Sequence, residues 1–345
     1  MYFAILGKNQ DISLAELEIT QANNINRENK YLITFETDHE ELLSTLWGIT
    51  KRGRVVSEEE LPAFFEWKKI LWVEDKALWL KFKKLWLIRR FKITEAQKTD
   101  KEIKHKWIEL IQLWTKWWTK IYGVVLWYQN IPLYETIDFK KPSRSMQMGM
   151  MPAKLTHILI NIGIIHSPSQ TTIYDPFAGS WTTWMLANFL WYNFIGSDID
   201  ITHLSQNLPR RENTYFYHPK LSLDFFQQDI THNISHDKIP PNTIIVTEGR
   251  LGPIINKYAN DHNITTAEAE VIKLYKAFLT TATQLKQSWQ LTTIVTTIPH
   301  YFRHENITGP ELFAHAQKLW RECNYIDEIY ARPRQRVGRK ILIFT

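Results

Sequence analysis

Residues 173–200 run Ile-Tyr-Asp-Pro-Phe-Ala-Gly-Ser-Trp-Thr-Thr-Trp-Met-Leu-Ala-Asn-Phe-Leu-Trp-Tyr-Asn-Phe-Ile-Gly-Ser-Asp-Ile-Asp. A strand-length apolar run ends at Asp175, the chain turns through Pro176 to Ser180, and a helix-length segment follows. Residues 192–197 then return to strand character before Asp198. A strand, a small-residue turn, a helix, a strand and an acid make a βαβ unit. Such a unit aims backbone N–H groups at a helix N-terminus, where they hold an anionic group, and sets an acid where it accepts from ribose hydroxyls. The pattern points to a nucleoside-cofactor site.

A dinucleotide fingerprint needs G-x-G-x-x-G, so that backbone closes on a pyrophosphate. Here Asp175 stands at the strand end instead, with Ala178-Gly179 in the bend. This turn resembles the first motif of S-adenosylmethionine-dependent methyltransferases, most closely the RNA guanine-N2 methyltransferases that carry a THUMP domain, where it reads D-P-F-x-G-S-G-T-T. The resemblance implies an α/β fold with a Rossmann-like methyltransferase sheet over residues 146–345 and an N-terminal α+β THUMP-like RNA-binding module over residues 1–145. It implies S-adenosyl-L-methionine as cofactor, held by Asp175, Phe177, Ala178, Gly179, Thr182, Asp198, Ile199, Asp229, Ile230 and Thr247.

Where the family has glycine, this chain has Trp181, in a loop where a cofactor needs close backbone approach. An indole is expected to fill that site. The misfit recurs: Leu46-Trp47-Gly48 reads as L-G-G, Trp191-Tyr192 as a G-Y helix stop and Trp117-Trp118 as a Gly-rich turn. The chain has 15 Trp but 12 Gly in 345 residues, and its glycine content is about half the usual ~7%. The expectation is that most or all Trp positions are glycine in the native protein, as when a gene that reads UGA as glycine is translated with UGA as tryptophan. The alternative is a set of real indoles on an RNA-stacking surface.

Hydrophobic residues make up 44% and charged residues 23%, which suits a soluble chain of two domains with real cores. A single cysteine, Cys323, excludes internal disulfides and multi-Cys zinc sites, and fits a reducing cytoplasm. No basic-then-apolar leader opens the chain, and its apolar runs are too short to span a bilayer, so no membrane partner is expected. Net charge is +6, unevenly placed: residues 76–144 hold 16 Lys and Arg against 6 Asp and Glu, leaving the rest net negative. A polyanion-binding module joined to a catalytic one has this balance.

In the first module, residues 2–6, 31–35 and 50–56 read as strands and 40–46 as a helix. Ser13 and Glu16 form a capping-box pattern at the start of another helix. The opening residues 3–18 and the run Leu46-Trp-Gly-Ile-Thr-Lys also resemble the N-terminal part of the same methyltransferases. Residues 79–86, 89–93 and 120–127 are candidate strands. The basic, helix-like stretch 98–114 is placed to lie on phosphates, with salt-sensitive affinity.

Residues 138–145 make a polar, Pro-containing boundary. Arg144 and the following Met148-Gly-Met-Met-Pro-Ala-Lys-Leu resemble the family's R-P-x-R-D…G-M-L-P-P-K-L-A segment, which leads into a helix beside the cofactor pocket. Further acids follow at sheet-like intervals: Asp198 and Asp200 after the second strand, reaching the ribose, and Asp229 after the third, with Ile230 packing on adenine. The fourth strand, 243–247, ends in Glu248-Gly-Arg-Leu-Gly-Pro where the family has T-D-P-P-Y-G. There the acid and a proline carbonyl accept from the exocyclic amine of the target base while the tyrosine stacks. By that resemblance Glu248 and the Gly249 carbonyl are the catalytic acceptors, and Arg250, Leu251 and Arg144 face the substrate; Leu251 lacks the aromatic face.

Residues 265–286 and 309–321 read as helices, 292–297 as a fifth strand, and 325–332 with 336–344 as a closing pair. Cys323, in a helix-end context remote from 248–252, argues against the nucleophilic cysteine of a 5-methylcytosine enzyme. The pairs His232/His236 and His300/His304 lack a third ligand, so no metal is expected. The expected activity is methyl transfer to an exocyclic amine in RNA, guanine N2 in tRNA by resemblance. The alternatives are a DNA amino-methyltransferase and a catalytically silent RNA-binding protein.

Overall fold

Tyr2–Leu6 (β1) is apolar at every position and lies in the middle of a sheet, where both faces of a strand are covered. The computed structural model describes all residues except 62–69, 74–79, 81–106, 141–150, 166–170, 208–216, 254–260, 288–290, 303–306, 321 and 333–334. Arg144 and most of the basic stretch lie outside the described residues. The chain divides into two units, Met1–Asn130 and Ile131–Thr345.

In the first unit, Gln10–Leu17 (α1) is followed by Asn23–Arg27 (β2), Leu32–Glu36 (β3), Ile49–Val56 (β4), Ile70–Val73 (β5), Trp107–Trp114 (β6) and Lys120–Tyr128 (β7). The sheet order is β2-β3-β1-β4-β7-β6-β5, antiparallel except for β5 with β6. Leu17, Ile33, Phe35, Leu43 and Leu46 form a core on one face; Phe3, Leu32, Leu113 and Val125 form another cluster.

Three local expectations are corrected here. Ser13 lies inside α1, where its hydroxyl donates to the Asn9 carbonyl at 2.6 Å and that of Gly48 at 2.8 Å. Glu16 does not cap α1; its buried carboxylate accepts from the backbone N–H of Trp47 at 2.8 Å and of Gly48 at 2.5 Å. A turn 31 residues away supplies donors that a capping box would otherwise supply. Residues Glu40–Thr45 form a short 3-10 helix, and 107–114 form a strand paired with β7 rather than the end of a basic helix. Pairing with two neighbours decided the latter over local charge.

The second unit opens with Ile131–Phe139 (α2) and Ala153–Ile165 (α3), then Thr172–Asp175 (β8), Thr182–Phe189 (α4), Asn193–Asp198 (β9), Thr202–Asn207 (α5), Leu223–Gln227 (β10) and Thr243–Thr247 (β11). Asp261–Gln287 (α6), Leu291–Tyr301 (β12), Thr308–Leu319 (α7), Cys323–Tyr330 (β13) and Val337–Phe344 (β14) complete it. The sheet order is β10-β9-β8-β11-β12-β14-β13. The first five run parallel, and β14 runs antiparallel between β12 and β13. Numbered within the unit this is 3-2-1-4-5-7-6, the order of a Rossmann-like methyltransferase sheet. Cys323 is the first residue of β13, not a helix end.

Why this sheet is parallel follows from its burial. β8 and β11 are buried at every position, as strands must be when helices cover both faces. α3 is buried along most of its length, with Gly163 close against Ile244, Val246 and Val295. α6 presents Val271, Tyr275, Phe278, Ala282 and Leu285 at helical spacing to a core shared with Ile245, Ile294 and Leu342. Each fully buried Val, Leu, Ile or Phe among them contributes about 1.5–3 kcal/mol.

Candidate active site

An open parallel sheet leaves a crevice outside the carboxyl ends of its strands where the strand order reverses, here between β8 and β11. A cavity of about 540 Å³ lies there, within the ~300–1,000 Å³ typical of small-molecule sites. Asp175, Asp198, Asp229 and Glu248, which end or follow β8, β9, β10 and β11, all line it. Phe177, Ala178, Gly179, Thr182, Ile199, Ile230, Gly249 and Arg250 line it as well.

The first bend is held from within. Asp175 is buried; it accepts from Thr183 Oγ1 at 2.5 Å and from the Phe177 N–H at 3.0 Å. Burial pushes its carboxyl up to about 6, partly offset by the hydroxyls of Thr183 and Thr247. Thr247 is wholly buried and its Oγ1 accepts from the Gly249 N–H at 3.1 Å, so it supports the cavity wall rather than lining it. Across the bend, Asp198 Oδ2 accepts from the Gly179 N–H at 2.9 Å and Oδ1 from the Asp200 N–H at 3.1 Å. Burial raises the Asp198 carboxyl, and these backbone donors oppose the rise.

Asp200 does not line the cavity: its Oδ1 accepts from the Thr202 N–H at 2.9 Å and hydroxyl at 2.5 Å, an Asx turn just before α5. Asp229 is held low by the Thr231 N–H at 2.9 Å and hydroxyl at 2.7 Å. His232 lies 3.5 Å from Asp229.

The loop after β11 is built on left-handed glycines, Gly249 at φ +67° and Gly252 at φ +84°. Tyr275, from α6, closes under it. Its hydroxyl is 2.9 Å from the Glu248 carbonyl and 2.6 Å from that of Thr297, and its ring stacks on Phe177 at 6.4 Å. Thr297 Oγ1 also donates to the Glu248 carbonyl at 2.9 Å, and the Tyr301 hydroxyl donates to the Leu251 carbonyl at 3.1 Å. The Glu248 carboxylate is paired with Arg339 on β14. Leu251 is half-buried beside the cavity without lining it.

No family model matches the chain, and no curated protein matches it in sequence. Among solved structures, the N-terminal domain of human METTL16 in complex with SAH aligns at 11% identity over 65% of this chain and 85% of that one, with a TM-score of 0.39. Human methyltransferase 10 domain containing protein aligns at 14% identity over 62% and 93%, with a TM-score of 0.41. A T. thermophilus 16S rRNA methyltransferase in complex with AdoMet and guanosine aligns at 11% identity over 60% and 44%, with a TM-score of 0.34. All three scores fall below 0.5, and the strand order described above stands by itself.

The structure corrects one sequence expectation at the bend. The Trp181 indole does not fill the cavity; it is buried against Trp184 at 4.4 Å and stacked on Phe225 at 5.6 Å. Its backbone is the anomaly, with φ +78°. Among the described residues six non-glycines have positive φ, and three are tryptophans: Trp118, Trp181 and Trp191. Asn tolerates this region; a bulky side chain there is a genuine outlier. Trp191 follows α4 in a Schellman pattern, its N–H donating to the Asn188 carbonyl at 3.1 Å and the Tyr192 N–H to that of Ala187 at 2.9 Å. Trp118 is the left-handed residue of the three-residue β6–β7 loop, its N–H donating to the Thr115 carbonyl at 3.0 Å.

Sequence reasoning missed Thr183, Tyr275, Thr297, Tyr301 and Arg339 as supports of the site. Thr183 had a local signal, standing in the first turn of the helix that follows Asp175. The others come from α6, β12 and β14, and no spacing relative to Glu248 marks them. Among the described residues no helix is long and apolar enough to cross a membrane, and no cluster of three or more His, Cys, Asp or Glu is placed to hold a metal ion.

Proposed function

We propose that this chain transfers a methyl group from S-adenosyl-L-methionine to an exocyclic amine of a base in RNA, guanine N2 in tRNA by the resemblance of its motifs. The observation that carries this reading is the convergence of four acids, from the ends of four consecutive parallel strands in a methyltransferase order, on one cavity. The donor set suits the cofactor. Asp198 would accept from the ribose hydroxyls, Asp229 and Ile230 would take the adenine, and Asp175 with the Ala178-Gly179 bend would take the amino-acid part. When bound, the cofactor supplies an electrophilic methyl on a sulfonium whose departure needs no metal.

The chain's own work is positioning. An aryl amine shares its lone pair with the ring, and acceptors aligned on its N–H bonds favour a geometry with the lone pair free for attack. Glu248 and the Gly249 carbonyl take that role, with Arg250 beside them toward the RNA. The first unit, Met1–Asn130, serves as the core of a THUMP-like RNA-binding module. Incubation with unmodified tRNA and radiolabelled methyl donor, followed by nucleoside analysis, tests the reading; tRNA binding without methyl transfer rejects it.

We further infer that Trp118, Trp181 and Trp191, and with them most tryptophans of the chain, are glycine in the native protein through a code that reads UGA as glycine. The support is conformational: three indoles occupy a hairpin loop, the bend after β8 and a helix C-terminus, positions where glycine relieves a cost of about 1–2 kcal/mol per left-handed residue. Peptide mass spectrometry of the protein from its own host reads these positions directly. Tryptophan at residue 181 or 191 rejects the inference.

A further inference from the structure

The loop Glu248–Gly252 is the part of the cavity that departs furthest from the family motif, and what holds it lies far away in sequence. Arg339 sits in β14, opposite Pro299 of β12, and its side chain is 6% exposed. Its Nε donates to Oε1 of Glu248, 91 residues earlier, whose side chain is 11% exposed and lines the cavity. The rest of the loop is braced by neutral groups: Tyr275 and Thr297 at the Glu248 carbonyl, Tyr301 at that of Leu251. These fix the backbone. Arg339 is the charged partner of the carboxylate itself.

A glutamate is one methylene longer than the aspartate of the family motif and has one more rotatable bond. Without an anchor it loses side-chain entropy when it aligns on a substrate amine. A buried carboxylate also needs a charge partner, since isolated burial costs several kcal/mol. We infer that Arg339 is a positioning residue for the methyl-transfer step: it holds one oxygen of Glu248 against β14 and so sets the plane in which the carboxylate faces the target amine. This rests on the function proposed above. Arg339 touches neither base nor cofactor and acts through Glu248.

The test compares the full-length protein with Arg339→Ala, Arg339→Gln and Arg339→Lys, using S-adenosylmethionine binding by calorimetry and single-turnover methyl transfer to unmodified tRNA. A displaced acceptor costs on the order of a hundredfold in rate. The expected result is a loss of that size for Arg339→Ala, recovered to within roughly tenfold of wild type by Arg339→Lys, with cofactor affinity changed less than about threefold throughout. Arg339→Gln keeps a donor without the charge and stands in should the alanine variant fail to fold. A folded variant that binds cofactor and keeps the wild-type rate overturns the inference, as does one that loses cofactor affinity in step with rate. A wild-type protein that binds cofactor but methylates no RNA overturns the proposed function instead. A crystal structure of Arg339→Ala then decides Arg339 separately, a turned or unordered Glu248 carboxylate supporting its hold on that side chain and an unmoved one refuting it.

Discussion

The Asp198 carboxylate accepts a hydrogen bond from the Gly179 N–H at 2.9 Å, joining the end of β9 to the bend after β8. The acid proposed to meet the ribose is thus also a clamp on the bend after β8. Asp198→Ala removes both roles. A charged hydrogen bond contributes about 1.5–3 kcal/mol, so affinity for S-adenosylmethionine falls at least tenfold in calorimetry. Unchanged affinity would sink the placement of the ribose.

Asp175 gives the fold a distinctive pH signature. Its carboxyl rises from 3.8 to about 6 on burial, so the folded chain holds this proton more tightly than the unfolded one. The resulting stability is fully present below about pH 3.8 and is lost as pH rises through about 6, a span worth on the order of 3 kcal/mol. Asp175→Asn is expected to lose that slope in urea unfolding across this range. A variant whose pH dependence matches wild type contradicts the assignment.

Trp191→Gly runs against the usual direction of large-to-small changes. The indole is 65% exposed and stacks on His218 at 4.0 Å, while its backbone sits at φ +67°. Releasing the left-handed strain outweighs the lost surface contact, and stability in urea increases by about 1 kcal/mol. A destabilised variant argues that the indole belongs there.

Gly249→Ala strikes the loop of the proposed acceptors. A Cβ built on Gly249 lies 1.9 Å from the Tyr275 hydroxyl, and its φ of +67° disfavours any L side chain. Either Tyr275 leaves the Glu248 carbonyl or the loop shifts. Methyl transfer drops by roughly a hundredfold, while Asp198 and the cofactor bend keep S-adenosylmethionine binding near wild type. Equal losses in both assays would mean that the damage spreads through the whole sheet.

Much of the second unit was legible because its signals are local. The run 243–247 reads as a buried strand and is β11, residue for residue. Turn chemistry set the bend at Ala178-Gly179, and resemblance to the family's motifs singled out Asp198, Asp229 and Glu248, which line one cavity. The first unit was harder. β2 is exposed along its whole length and carries Asn, Asn, Ile, Asn and Arg, so no apolar alternation marks it as a strand. Glu16 showed the opposite problem: its spacing from Ser13 matched a helix cap, yet the nearest strong donors came from Trp47 and Gly48.

From its order of residues alone, the chain determined a βαβ unit with an acid at each strand end, because hydrophobic period and turn chemistry act over a few neighbours. Tertiary structure decided which distant groups complete the site. Arg339 reaches Glu248 because β14 enters antiparallel beside β12, and Tyr275 reaches the same loop because α6 packs its apolar face on the sheet. Strand order and register are set by the burial of the whole sheet, and only they bring such residues together.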